Sequence, residues 1–165
     1  METNTQAALL VKMTVAAWDT QNNYFTKLID MLSDEQMKSE IAPGRNTGVY
    51  LLGHLAAVSD AMLPLLGWGD KLFPELEEVF IKNPDKATAE KPSVAELKEK
   101  LQAVNTTLSS HIHATTLDQW LDRHMAVSHE DFAKEPHRNR LNVLISRTNH
   151  MANHIGQLLL LKQAS

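Results

Sequence analysis

The 165-residue chain contains no cysteine. That absence removes disulfide cross-links, thiolate metal ligands and a thiol nucleophile together, so any metal it binds is held by nitrogen and oxygen. Aromatic residues make up only 5% of the sequence, and six glycines and six prolines are too few for a turn-rich all-β protein. Positive charge is also scarce: 16 Lys and Arg against 20 Asp and Glu leave a net charge of −4. A nucleic-acid partner, which calls for a basic surface, is therefore not expected. No uninterrupted apolar run approaches the ~18 residues of a spanning helix. The first eight residues have neither the basic start nor the apolar core of a secretory signal. These absences set the expectation of a cytoplasmic protein without a membrane partner.

What the chain does have is apolar residues, 43% of the total, at helical spacing. Over 6–32, Leu10, Met13, Ala17, Tyr24, Leu28 and Met31 recur at intervals of three, four or seven and predict an amphipathic helix. The turn Ala42-Pro43-Gly44-Arg45-Asn46 leads into a second helix capped by Asn46 or Thr47, running to about Leu66 with Pro64 kinking its last turn. Gly67 to Pro92 reads as a long connection with one short helical piece around Glu75–Ile81. Ser93-Val94-Ala95-Glu96 is a capping box opening a third helix, whose stripe is Val94, Leu97, Leu101, Val104 and Leu108. A second connection over 114–138 carries a short amphipathic piece at Leu117–Leu121. The last helix, about Arg140–Lys162, has the stripe Leu141, Leu144, Thr148, Met151, Ile155 and Leu158. The fold class expected is all-α, a four-helix bundle forming one domain over 1–165, with long connections between helices 2 and 3 and helices 3 and 4.

Three histidines stand out against this frame. His150 and His154 are four apart in the last helix, which puts their Cβ atoms roughly 5–6 Å apart on one side. His54 falls in the apolar second helix, on the same face as Tyr50, Leu51, Val58, Ala61 and Leu65. Taken alone, His54 reads as a hydrogen-bonded core histidine. Burying the His150/His154 pair without a metal leaves four ring nitrogens to be partnered, whereas a shared cation satisfies both rings. The candidate metal ligands are therefore His54, His150 and His154, a three-imidazole shell with an open position for water or substrate. A helical zinc protease is excluded, because its glutamate would stand where Met151 does.

The remaining histidines are weaker candidates. His111 sits on the seam of the third helix and reads as packed, while His113, His124, His129 and His137 belong to the connections and read as solvated. Gly156 suggests a close helix crossing. Gln157 reads equally as a group orienting an imidazole or as surface, and Asn153, Arg147 and Tyr50 are similarly balanced.

In this order, Gly53-His54-Leu55 in the second helix and His150 through Gln157 (His-x-x-x-His-x-Gly-Gln) in the last helix resemble the DinB-like superfamily of metal-dependent enzymes, over essentially the whole chain. The resemblance implies a bundle of up-down-down-up connectivity, usually dimeric, holding a divalent metal ion such as zinc or nickel through three histidines. Relatives of this kind include bacillithiol S-transferases and mycothiol-dependent isomerases. The function expected is a thiol S-transferase-type reaction on a small electrophile, with a low-molecular-weight thiol supplied from outside. The alternatives are a metal-dependent hydrolase, in which activated water attacks an ester or amide, and a non-catalytic stress or binding protein stabilised by its metal.

Overall fold

The computed structural model describes residues 2–87 and 90–163. The ends of the expected 1–165 domain, and residues 88–89 of the first long connection, lie outside the described residues. Among those described, the chain is all-helical, with no strand and two isolated β-bridges.

The first helix, α1 (Glu2–Met31), is followed by a short helix, α2 (Asp34–Lys38), which Ser33 and Gln36 cap reciprocally. Helix α3 (Gly48–Asp60) starts where Thr47 accepts the Tyr50 amide, which selects Thr47 over Asn46 as its cap. The expected second helix breaks at Ala61 and resumes as α4 (Met62–Leu66), ending at Gly67 with φ 73°. That left-handed conformation is one glycine adopts without strain. Helix α5 (Val94–Ala114) opens on the Ser93/Glu96 capping box, and its expected stripe from Val94 to Leu108 is buried throughout. Two short helices, α6 (Leu117–Leu121) and α7 (His129–Lys134), precede α8 (Arg140–Leu158), which Asn139 caps. A final 3₁₀ turn, Leu159–Gln163, replaces the last turn expected of that helix.

Helix α1 packs most extensively on α8, and α3 on α5. The core forms two clusters. One surrounds α3 with Phe25, Leu28, Phe80, Leu97, Met151 and Ile155, and the other gathers Trp18, Leu63, Leu66, Leu108, Trp120 and Leu144. The stripe expected on α1 is corrected. Of its members only Leu28 is buried, while Leu10, Met13, Tyr24 and Met31 are at least 45% exposed. The face that α1 buries runs instead through Trp18, Phe25 and Ile29, with Leu32 buried just past its end. Both stripes have helical spacing, and the larger side chains of the second decide the orientation.

No uninterrupted apolar run reaches the length of a membrane span, but an interrupted one does. Gly48–Leu66 is long and apolar enough by length and composition, with mean hydropathy 1.5 over 18 residues, and 72% of that window is buried inside the protein. An unbroken run is not required, because Ser59 and Asp60 leave the mean high. Asp60 is fully buried and accepts the Leu72 and Phe73 amides, each at 2.8 Å, turning the connection back onto α3. Farther along, Asp85 accepts the Thr47 amide at 2.6 Å and pairs with Lys91 at 2.6 Å, so the same connection is pinned at both ends of α3.

Candidate metal centre

Between those two pins the connection forms a π-helical turn, Glu78–Lys82, that lies against α3 and buries Phe80 completely. The close approach depends on Gly53: a Cβ there would overlap the Phe80 ring. It brings the Phe80 carbonyl 2.7 Å from His54 Nδ1. A carbonyl only accepts, so Nδ1 carries the hydrogen and Nε2 presents its lone pair on the other side of the ring. Burial lowers the pKa of His54 more than this hydrogen bond raises it, which keeps the ring neutral. Tyr50 lies nearly parallel to His54, with ring planes 11° apart, and donates its hydroxyl to the Asn83 carbonyl at 2.7 Å. Tyr50 is therefore a packed wall with its polar end occupied.

Helix α8 supplies the other two rings. His154 Nδ1 donates to Gln157 Oε1 at 2.8 Å, one turn along the same helix, and with the hydrogen on Nδ1 its Nε2 presents a lone pair. His150 stands between them, its Nε2 3.3 Å from His54 Nε2 and 3.1 Å from His154 Nε2. The three rings meet edge to face, with centroids 4.5–5.2 Å apart. One ligand atom from each residue lies within 4.8 Å of the others. The sequence thus named three residues that the fold brings to one point, although His54 is half-buried rather than central to the buried face of its helix. Helix α3 is covered on nearly every side, with His54 one of its few half-buried positions, and Ala61 and Leu65 are half-buried past its end.

As a protein-only cluster these rings do not satisfy one another. His54 and His154 each aim a lone pair at His150, and a neutral His150 has one hydrogen to offer. Placed on Nε2, that hydrogen meets one lone pair and leaves the other. Placed on Nδ1, it sits on a buried nitrogen without a hydrogen-bond partner. Protonating His150 offers no escape, since burial, then the charges of His154, His54 and Arg147, press its pKa down to about 4. A divalent cation held by the three Nε2 atoms would accept all the lone pairs at once, and an all-imidazole donor set suits a borderline transition-metal ion. The partners on Nδ1 of His54 and His154 are of the kind that fix ring orientation at metal sites.

The other histidines are elsewhere. His111 lies flat on Trp68, with centroids 5.3 Å and planes 8° apart. His113 meets Asp19 at 3.2 Å, and His124 Nδ1 accepts the Ala126 amide at 3.3 Å. His129 and His137 are exposed, and Arg138 pairs with Glu135 at 3.1 Å. Gly156 is corrected: a Cβ there would meet nothing within 4 Å, so no helix crosses close to it. Its face of α8 is exposed, which removes the steric reason for glycine. The sequence carried no sign of the Phe80 carbonyl or of the clearance at Gly53, because a backbone acceptor leaves no residue-type signature.

A family model described as the DinB superfamily matches residues 17–158. A crystal structure of a conserved protein from Enterococcus faecalis shares the fold with a TM-score of 0.63 and 17% identity, covering 92% of this chain and 94% of that one. No curated protein matches the sequence.

Proposed function

Because the chain belongs to the DinB superfamily and turns three imidazole lone pairs on one point, we propose that it is a metal-dependent enzyme of the thiol S-transferase type, with His54, His150 and His154 as ligands of zinc or nickel. The observation that carries this reading is the convergence of three Nε2 atoms that cannot all be satisfied by one another. A divalent cation in a neutral three-imidazole shell keeps its full double charge toward the ligand side, where it lowers the pKa of a thiol.

The chain's own part is to hold and orient. The Phe80 carbonyl and Gln157 fix two rings, and Tyr50 walls one of them. No carboxylate is among the charges acting on His54 or His150, so no general base is assigned to a side chain. The thiol comes from outside, as a chain without cysteine requires. Its proton passes to solvent, its sulfur forms the S–C bond to a small electrophile, and the displaced group leaves with the bonding electron pair.

The same reading takes 1–165 as one cytoplasmic domain, its four long helices in an up-down-down-up bundle, without nucleic-acid or membrane partners. It also takes the protein as a homodimer. The exposed Leu10, Met13, Tyr24 and Met31 on α1 support a contact between copies, and sedimentation of a Met13→Glu variant tests it, a monomeric parent overturning it.

Elemental analysis of the purified protein beside His54→Ala and His150→Ala, followed by turnover assays across thiols and electrophiles, tests the function. About one metal per chain, lost in both variants, with turnover only when a thiol is present, is the expected result. Turnover without thiol replaces the reading with a hydrolase. Metal that stabilises the fold with no turnover under either condition replaces it with a binding protein.

A further inference from the structure

Arg147 stands three residues before His150 and seven before His154, on the same side of α8. It is half-buried and, among the described residues, forms no hydrogen bond or ion pair. Helical spacing sets it one turn from His150 and two turns from His154, on the flank of α8 that carries both rings. Arg140, seven residues earlier on the same side, also has a buried Nε without a partner.

Among the described residues, no ion pair reaches either cation. Helix α8 contains no Asp or Glu from Arg140 to Leu158. On α3 and α4 the sole acid is Asp60, and both of its oxygens are taken by the Leu72 and Phe73 amides. Burial alone lowers the pKa of Arg147, with no neighbouring carboxylate to offset it. A half-buried guanidinium without a counterion is costly to keep, and a divalent cation beside it makes the excess of positive charge larger.

We propose that Arg147 is the contact for a carboxylate on the molecule bound at the three histidines, so that the site selects anionic small molecules. Guanidinium binds carboxylate through two parallel N–H donors, which sets direction as well as charge. The inference rests on the proposed function for the identity of the neighbouring cation, and it adds the charge of the substrate.

The test is calorimetric titration of the zinc-loaded protein with mercaptoacetate and with its methyl ester. Mercaptoacetate is expected to bind at least about ten-fold more tightly, equivalent to about 1.4 kcal/mol. In Arg147→Met the preference disappears, while zinc content and ester affinity stay at the parent's values and the melting temperature does not fall. An unchanged melting temperature separates a ligand contact from a structural role. If the charge belongs to the electrophile instead, the preference appears as a ten-fold difference in KM between a carboxylate-bearing electrophile and its amide, again abolished in Arg147→Met. Equal binding of acid and ester together with equal KM values overturns the proposal, as does a preference that survives the substitution.

The proposed function fails separately, by absence of zinc uptake. Acetate against acetamide on the metal-free chain then decides the Arg147 contact by itself, with loss of acetate preference in Arg147→Met supporting it and no preference overturning it.

Discussion

Two parts of the molecule hold histidine against the core, and they do so by different means. At one, His111 stacks on Trp68, which meets Trp120 edge to face, and the ring acts as a flat, half-buried filler. At the other, His54 and His154 each have Nδ1 tied to an oxygen and Nε2 turned inward. A histidine that packs presents its faces to neighbours, whereas a histidine that ligates has one nitrogen fixed so that the other can be aimed. Burial does not distinguish the two, since all four rings are intermediate in exposure. The oxygen partners on Nδ1 of His54 and His154 do, although His150, between them, has none on its Nδ1.

The comparison breaks most severely at Gly53. Gly53→Ala drives a methyl into the Phe80 ring, and overpacking of this kind costs typically 1–3 kcal/mol. It also moves the carbonyl that orients His54. A lowered melting temperature and reduced metal uptake in the same variant are expected, and a variant with parental values for both would separate Phe80 from the site.

Acidification of the metal-free protein comes next. The pKa of folded His150 is pressed down to about 4 from 6.5, so between those values the unfolded chain binds more protons than the folded one. The stability linked to this ring is fully present above pH 6.5 and is lost as pH falls toward 4. At ~1.4 kcal/mol per pKa unit the full shift corresponds to roughly 3 kcal/mol, and screening of a half-buried ring reduces this to about 2 kcal/mol. Denaturant unfolding of metal-free protein at several pH values reads the slope, which His150→Gln should flatten.

A smaller change is expected at Gln157, where Gln157→Ala releases His154 Nδ1 without removing a ligand. Metal affinity should fall by about ten-fold, the lower end for loss of an orienting partner, and competition with a chelating dye measures it. The smallest effect belongs to the stacked ring. His111→Phe keeps a flat aromatic on Trp68 and is expected to shift stability by less than about 1.5 kcal/mol, with metal content unchanged. Loss of metal in that variant would erase the distinction between the two histidine settings.

How much of this was legible in the sequence varied with the kind of contact involved. The ligand candidates were, because His150 and His154 share a helix face by spacing alone and His54 interrupts an apolar run in the second helix. The capping box at Ser93 and the buried stripes of α5 and α8 were equally readable, since local hydrogen bonding and periodicity decide them. The orientation of α1 was not. Two apolar stripes compete there, and only packing against α8 and the two core clusters shows that Trp18 and Phe25 face inward while Leu10 and Met13 do not. The break at Ala61, the π-helical turn and the return of the Phe80 carbonyl to His54 depend on contacts 26 residues apart or on backbone geometry. Gly156 misled for the opposite reason: a helical glycine suggests a close neighbour, and this one has none.

The braces behind the two outer rings also differ in how they can be lost. The oxygen that steadies His54 belongs to the main chain, so no exchange of the residue 80 side chain deletes it. The oxygen that steadies His154 belongs to a carboxamide, and one codon change at position 157 erases it. Inherited drift would therefore loosen this centre from its C-terminal side first, while its N-terminal support persists for as long as the turn keeps its shape.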